Sequence, residues 1–141
     1  MDKWLGAAAV CINEQNELLM VLQGKPEEKK TWTVPSGGVL EEESLEQCCM
    51  RETFEETGYL IRVVERLRTK TGRIGKTDIH VEYFSCMVKG GSMQIQDPDH
   101  LIHEVRWVSK EELNELELSF SEDQLFLNHM LTKKNEGVDR A

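Results

Sequence analysis

GGVLEEESLEQCCMRETFEETGY, residues Gly37 to Tyr59, passes from a glycine-rich turn into a helix that is unusually acidic. Glu41, Glu42, Glu43, Glu46, Glu52, Glu55 and Glu56 fall inside it, and Arg51 is its one basic residue. Like charges four residues apart on a helix repel, so a helix charged this way calls for a cation against it. Glu52, Glu55 and Glu56 stand at i, i+3 and i+4, which puts their carboxylates on one face. Carboxylates grouped so form an oxygen-rich site for a hard divalent ion, Mg2+ or Mn2+. Ser44 is placed as the N-cap with Gln47 as its capping-box partner, and Gly58 fits the C′ position. Cys49, Met50, Thr53 and Thr57 share a neighbouring apolar-to-neutral face, so the helix packs on a sheet with its acids along the edge of that contact.

Working outward from this helix, Leu5 to Ile12 and Leu18 to Gln23 read as strands joined by the polar turn Asn13 to Asn16, together a hairpin. Gly24 to Lys30 is a charged loop whose Lys25, Lys29 and Lys30 either meet a phosphate or form a solvated face. Thr31 to Val34 is a short strand stopped by Pro35; its Trp32 is read as core packing before base stacking. Ser36, Gly37 and Gly38 make a turn in which backbone can approach a ligand. Beyond the helix, Leu60 to Thr69 and Ile79 to Val88 are strands joined near Gly72 to Gly75. Between them Arg62, Arg66, Arg68, Lys70, Arg73 and Lys76 form a local basic patch. Arg66, Arg68 and Lys70 are its candidate phosphate-binding residues, against the plainer reading of an outward strand face. Gly90 to His103 is loop-like with a turn at Asp97-Pro98, and Val105 to Val108 is a strand. Ser109 caps a short helix, and Ser121 to Lys133 forms a last amphipathic helix with Leu125, Phe126 and Met130 inward.

With 141 residues the chain reads as one domain, 1–134, followed by a frayed tail, 135–141. A formal charge of −9 argues against broad binding to DNA, RNA or an anionic membrane. It leaves room for a small phosphorylated substrate screened by a metal. No run approaches the about 20 apolar residues that span a bilayer. The apolar N-terminal segment lacks a cleavage site and is read as a buried strand. Cys11, Cys48, Cys49 and Cys86 show no metal or disulfide spacing, which fits free thiols in a reducing cytoplasm.

The pattern G-x5-E-x7-R-E-U-x-E-E-x-G-U, with U a bulky apolar residue, defines the Nudix hydrolases, and this chain resembles it closely. Gly37, Glu43, Arg51-Glu52, Glu55-Glu56 and Gly58 stand in register, while Thr53 and Tyr59 occupy the looser U positions. Trp32 to Pro35 resembles the family's approach strand, and Glu104 to Leu113 its closing strand and helix. The resemblance implies an α/β/α sandwich around a mixed β-sheet. It also implies hydrolysis, with Mg2+ or Mn2+, of a nucleoside diphosphate linked to another moiety. By this resemblance Glu52, Glu55 and Glu56 form the metal core, Gly37 lends a carbonyl, and Glu43 and Arg51 are the pair supporting the helix. Glu104, with Glu82 behind it, is the candidate for a further acidic ligand. His80 is a candidate substrate contact.

The signatures expected downstream of the box in ADP-ribose, dinucleotide and diadenosine-polyphosphate hydrolases are missing. A minimal domain remains, similar to MutT-type nucleoside triphosphate pyrophosphohydrolases acting on standard, oxidised or other non-standard nucleotides. The alternatives are a nucleotide sugar, ADP-ribose or an RNA 5′ end as substrate, or a nucleotide-sensing module without catalysis. A homodimer is common among such relatives and is expected here as one possible state.

Overall fold

Strand β1 (Asp2–Cys11) is buried on both faces along its second half, and that double burial sets the architecture. Ala7, Ala9 and Cys11 enter one apolar cluster, Ala8 and Val10 another. Strand β2 (Leu18–Gln23) divides likewise, Leu19 and Val21 to the first cluster, Leu18 and Met20 to the second. Alternation along a strand sends neighbouring side chains to opposite faces, so two such strands need a helix layer on each side. The computed structural model describes residues 2–133 in full, and the tail expected to fray at 135–141 lies outside the fully described residues.

The other elements are β3 (Thr31–Thr33), β4 (Ser36–Gly38), α1 (Leu45–Thr57), β5 (Tyr59–Ile74), β6 (Thr77–Gly91), β7 (Ile102–Val108), α2 (Lys110–Leu113) and α3 (Gln124–Arg140). One sheet runs β4-β1-β6-β5, the other β3-β2-β7. β1 pairs with β6 in parallel and with β4 antiparallel, which makes the first sheet mixed; the second is antiparallel throughout. Helix α1 packs its Cys48 and Cys49 against Ile61 and Phe84 on one side. Leu113 of α2 and Leu127 and Leu131 of α3 close the other. The result is an α/β/α sandwich around a mixed sheet, as the sequence implied.

The hairpin expected of β1 and β2 does not form. The chain does turn tightly, with Glu17 O accepting from Asn13 N at 3.0 Å. One isolated bridge, Ile12 to Leu18, then joins the two sides before they part into different sheets. Each strand is central in its own sheet: β1 takes both partners from farther along the chain, whereas β2 pairs with the next strand, β3, and with the distant β7. Of the residues expected to face inward on the final helix, Phe126 and Met130 pack against the second cluster, but Leu125 is 85% exposed, and the buried positions are Leu127 and Leu131. Residues four apart share a helix face, whereas Leu125 lies two positions from Leu127 and so on the opposite side. His129 is exposed. All four cysteines are free and buried, as expected. Among the described residues no helix is long and apolar enough to cross a membrane.

Both ends of α1 match their local signals. Gln47 N donates to Ser44 Oγ at 3.0 Å and Ser44 N to Gln47 Oε1 at 2.9 Å, closing the capping box. Gly58 ends the helix at φ 84°, and its N–H donates to Phe54 O. A Cβ there would lie 2.2 Å from Ser92 O and 2.5 Å from Gln94 N, whereas one at Gly75, φ 60°, would meet nothing within 4 Å. Gly75→Ala should therefore cost only the left-handed penalty, about 1–2 kcal/mol. Gly58→Ala adds a backbone clash and should lower stability clearly further in urea denaturation. Equal losses for the two would show that the loop after β6 is not pressed against the helix end.

Candidate active site

The box residues meet where α1 lies over β4. Arg51 is the hub. Its Nε donates to Glu43 Oε2 at 2.7 Å and its Nη2 to Glu43 Oε1 at 2.9 Å, a bidentate pair. Nη2 also donates to Gly38 O at 2.9 Å, tying the helix to the turn before it. Nη1 faces Glu52 and, at 3.3 Å, both oxygens of Glu55. The Arg51 hydrogen bonds hold the Glu43 carboxyl below its usual range, and the same contacts push the guanidinium further up. Such charge-assisted, forked contacts fix rotamers as well as charge.

Glu56 takes no share of Arg51. It is 7% exposed, and its Oε1 accepts from Ser36 N at 3.3 Å. Burial pushes its carboxyl well above the ordinary value, and the neighbouring Glu52 adds to the rise. Burial also raises Glu52, against the pull of Arg51. Gly37 is where β4 admits this pair: a Cβ there would stand 1.7 Å from Glu52 Oε2, so no other residue leaves that carboxylate its place. The Gly37 carbonyl faces the helix as well, accepting from Cys48 Sγ at 3.4 Å.

These residues fit a hard divalent cation by their chemistry: oxygen donors, two of them forced together in a desolvated place where ionisation of both is unfavourable. Among the described residues no three acid, histidine or cysteine side chains already close on one point. Glu52 and Glu55 lean instead on Arg51, which stands as their counter-ion.

Outside the box the placements differ from expectation. Glu104 does not join the acids. It alternates on β7 with Val105 and Trp107, which pack on the α1 side, so it projects to the other layer, where Arg106 Nη2 holds it at 2.7 Å. Glu82 is 3% exposed and is held by Thr69 Oγ1 at 2.8 Å and His80 Nε2 at 2.8 Å. Burial acts to raise its carboxyl, and the contacts to His80, Thr69 and Arg66 outweigh that and hold it low. The acid that does bear on Glu56 is Asp97, whose charge contributes to the rise of the Glu56 carboxyl. Its loop rests on the end of α1, with Gln94 N donating to Thr57 O at 2.7 Å and Gln96 N to Glu55 O at 2.8 Å. The only sequence signal at Asp97 was the turn with Pro98, which carries no information about where the turn docks.

The basic patch is divided. Arg68 and Lys70 turn to the buried Asp123, Lys70 at 3.0 Å, and the Arg68 guanidinium lies 4.0 Å from the Phe126 ring centre and 4.6 Å from that of Tyr83. Arg66 stands 3.7 Å from Glu82. In the Gly24 to Lys30 loop, Lys30 Nζ donates to the Lys25 and Glu28 carbonyls at 2.7 Å, and Lys29 pairs with Glu117. Trp32 is 8% exposed, a core residue with Arg106 over its ring.

The raised Glu52 and Glu56 carboxyls set a pH dependence. A carboxyl raised on folding costs nothing below its unfolded value near pH 4.5, and the cost grows as pH rises through the folded value. With divalent ions chelated, this pair should lower the melting temperature as pH rises from 5 to 8. Added Mg2+ should restore it by several degrees at pH 8 and by little at pH 5. Glu56→Gln should flatten both trends. A Mg2+ effect independent of pH would contradict this assignment.

Comparison with known proteins agrees with this geometry. A model of the NUDIX domain matches residues 2–129. The chain is 32% identical over 114 residues to Nudix hydrolase 5 of Arabidopsis thaliana, covering 77% of this chain and 37% of that protein. It is 25% identical over 141 residues to the human nucleoside diphosphate-linked moiety X motif 6, covering 96% of this chain and 44% of the relative. It thus spans less than half the length of these relatives. Among solved structures, a MutT protein from Methanosarcina mazei Go1 superposes with a TM-score of 0.73 at 20% identity, over 95% of this chain and 96% of that one, a likeness of fold. The box in register, the sandwich that carries it and the match across residues 2–129 lead to one conclusion: the chain belongs to the NUDIX domain family.

Proposed function

We propose that the chain hydrolyses a phosphoanhydride in a nucleoside diphosphate linked to a second group, in its simplest form a nucleoside triphosphate split to monophosphate and pyrophosphate. The observation that carries this reading is the Glu52–Glu56 pair, two desolvated acids against β4, Glu52 at Gly37 and Glu56 at Ser36. Buried charge without a partner is costly, and a structural helix face has no need of it. The name of the human relative, nucleoside diphosphate-linked moiety X motif 6, describes the same class of substrate.

Glu52, Glu55 and Glu56 would hold the divalent ion, with the Gly37 carbonyl beside them and Asp97 completing the acidic surround. When bound, Mg2+ or Mn2+ supplies neutralisation of the phosphate oxygens and a lowered pKa for water. Glu43 keeps Arg51 in place, and Arg51 keeps Glu52 and Glu55 from splaying apart. Glu55, more exposed than Glu52 at 25% against 18%, is positioned to take the proton of the attacking water. The water oxygen bonds to phosphorus, the bridging P–O bond breaks, and pyrophosphate leaves. A sensing module without catalysis would not need the complete acid set that this chain retains.

A screen of nucleoside triphosphates, ADP-ribose and nucleotide sugars, each with Mg2+ and with Mn2+, tests the reading through formation of the nucleoside monophosphate, with pyrophosphate as the second product from a triphosphate and a sugar phosphate from the others. Hydrolysis of at least one is expected, and Glu55→Gln should lower kcat/KM by at least about 100-fold. Near-full activity in that variant would remove Glu55 from its role; silence of all substrates with both ions would favour a binding module.

A further inference from the structure

Three of the four thiols converge beneath α1. Cys49, on the inward face of the helix, brings its Sγ to 3.7 Å from Cys86 Sγ on β6. Cys11 is paired with Cys86 across β1 and β6, and all three belong to one buried cluster. Cys48 turns elsewhere, its Sγ donating to the Gly37 carbonyl. Contacts from the Cys11 and Cys49 thiols draw Cys86 below the ordinary thiol value, while the contact with Cys86 and burial push Cys49 up. One sulfur is thereby favoured as thiolate, the nucleophilic form, with a protonated thiol beside it.

The cluster has an open flank. A groove of about 610 Å3 between the start of α1 and β5 is bordered by Leu45, Met50, Val63 and Phe84, all packed in the same cluster as the thiols. Leu45, Met50 and Val63 are only partly buried, which gives a small uncharged oxidant its side of approach.

A bond between Cys49 and Cys86 would act on α1. Disulfide sulfurs stand about 2.05 Å apart, so the two must close by about 1.7 Å. Close packing leaves little room for that by side-chain rotation alone. β6 is hydrogen-bonded to β1 on one side and β5 on the other, so the helix takes up the movement. The acids have no slack for it. Glu52 lies one turn beyond Cys49, and its Oε2 already stands where a Gly37 Cβ would be only 1.7 Å away. A Cys11–Cys86 bond would join strands already paired and leave α1 in place.

The geometry points to a modification site: Cys49 and Cys86 are a dithiol that a hydroperoxide oxidises to a disulfide, and the bond draws α1 out of the register in which its acids hold a divalent ion. The Cys86 sulfur attacks the peroxide; an S–O bond forms, the O–O bond breaks and, from hydrogen peroxide, water leaves. Cys49 then attacks the sulfenic sulfur, the S–S bond forms, the S–O bond breaks and a second water leaves with the thiol proton. The two thiols together lose two electrons, and one peroxide is reduced to two waters. The effect on the ion rests on the metal site proposed above; the bond itself does not.

The test treats the full chain with hydrogen peroxide, maps its peptides by mass spectrometry without reduction, and titrates Mn2+ calorimetrically before and after. A linked Cys49–Cys86 peptide is expected, still formed in Cys11→Ala. Mn2+ affinity should fall by about tenfold or more, the loss typical of a disturbed ligand support, and return with dithiothreitol. Cys49→Ala and Cys86→Ala, changes on either side of the contact, should each bind Mn2+ as the reduced protein does and ignore peroxide. Thiols left intact, a Cys11–Cys86 link in place of the expected one, or a Cys49–Cys86 bond that leaves Mn2+ affinity unchanged overturns the inference. Failure of the reduced protein to bind Mn2+ would reject the metal site instead, and the linked peptide alone would then decide for or against the dithiol.

Discussion

Two carboxylates that cannot both ionise at ease, Glu52 and Glu56, set the terms for the rest of this molecule. They lie side by side because α1 crosses β4 at Gly37, the one residue type that leaves Glu52 its place. The single guanidinium of Arg51 compensates only Glu52 and Glu55, and it is anchored in turn by Glu43 and the Gly38 carbonyl. Every element around the site serves that crossing. β1 supplies the edge on which β4 pairs, the capping box fixes where α1 begins, and the loop after β6 braces where it ends.

Much of this was legible in the sequence because it is local. Caps, helix register and the shared face of the three glutamates depend on residues within a few positions of one another. The continuous apolar runs of β1 and β2 likewise announced strands, though not which strands they join. The readings that changed all depend on distant partners. Arg68 and Lys70 looked available in a basic run, but Asp123, more than fifty residues on, lies against both. Glu104 sits near the right place along the chain and on the wrong face of its strand. Asp97 comes within reach of the Glu56 charge because its loop docks on the end of α1, and no periodicity announces a docked loop.

The division of charge follows from the same folding. The chain is acidic overall, and Lys29 of the loop and Arg66, Arg68, Lys70 and Arg73 of the long β5–β6 hairpin pair with acids of the chain itself. The β4 strand separates this polar chemistry from an apolar space on its other face.

The central claim is that the buried acid pair, Glu52 and Glu56, takes up a divalent ion that lifts the cost of ionising both. It is tested most directly by calorimetric titration of Mn2+ into the protein near pH 7 in buffers of differing ionisation enthalpy. The account predicts that binding releases protons, that the release shrinks as pH rises above the raised carboxyl values, and that Glu56→Gln abolishes it. Binding of equal strength with no proton release, or release unchanged in Glu56→Gln, would contradict it.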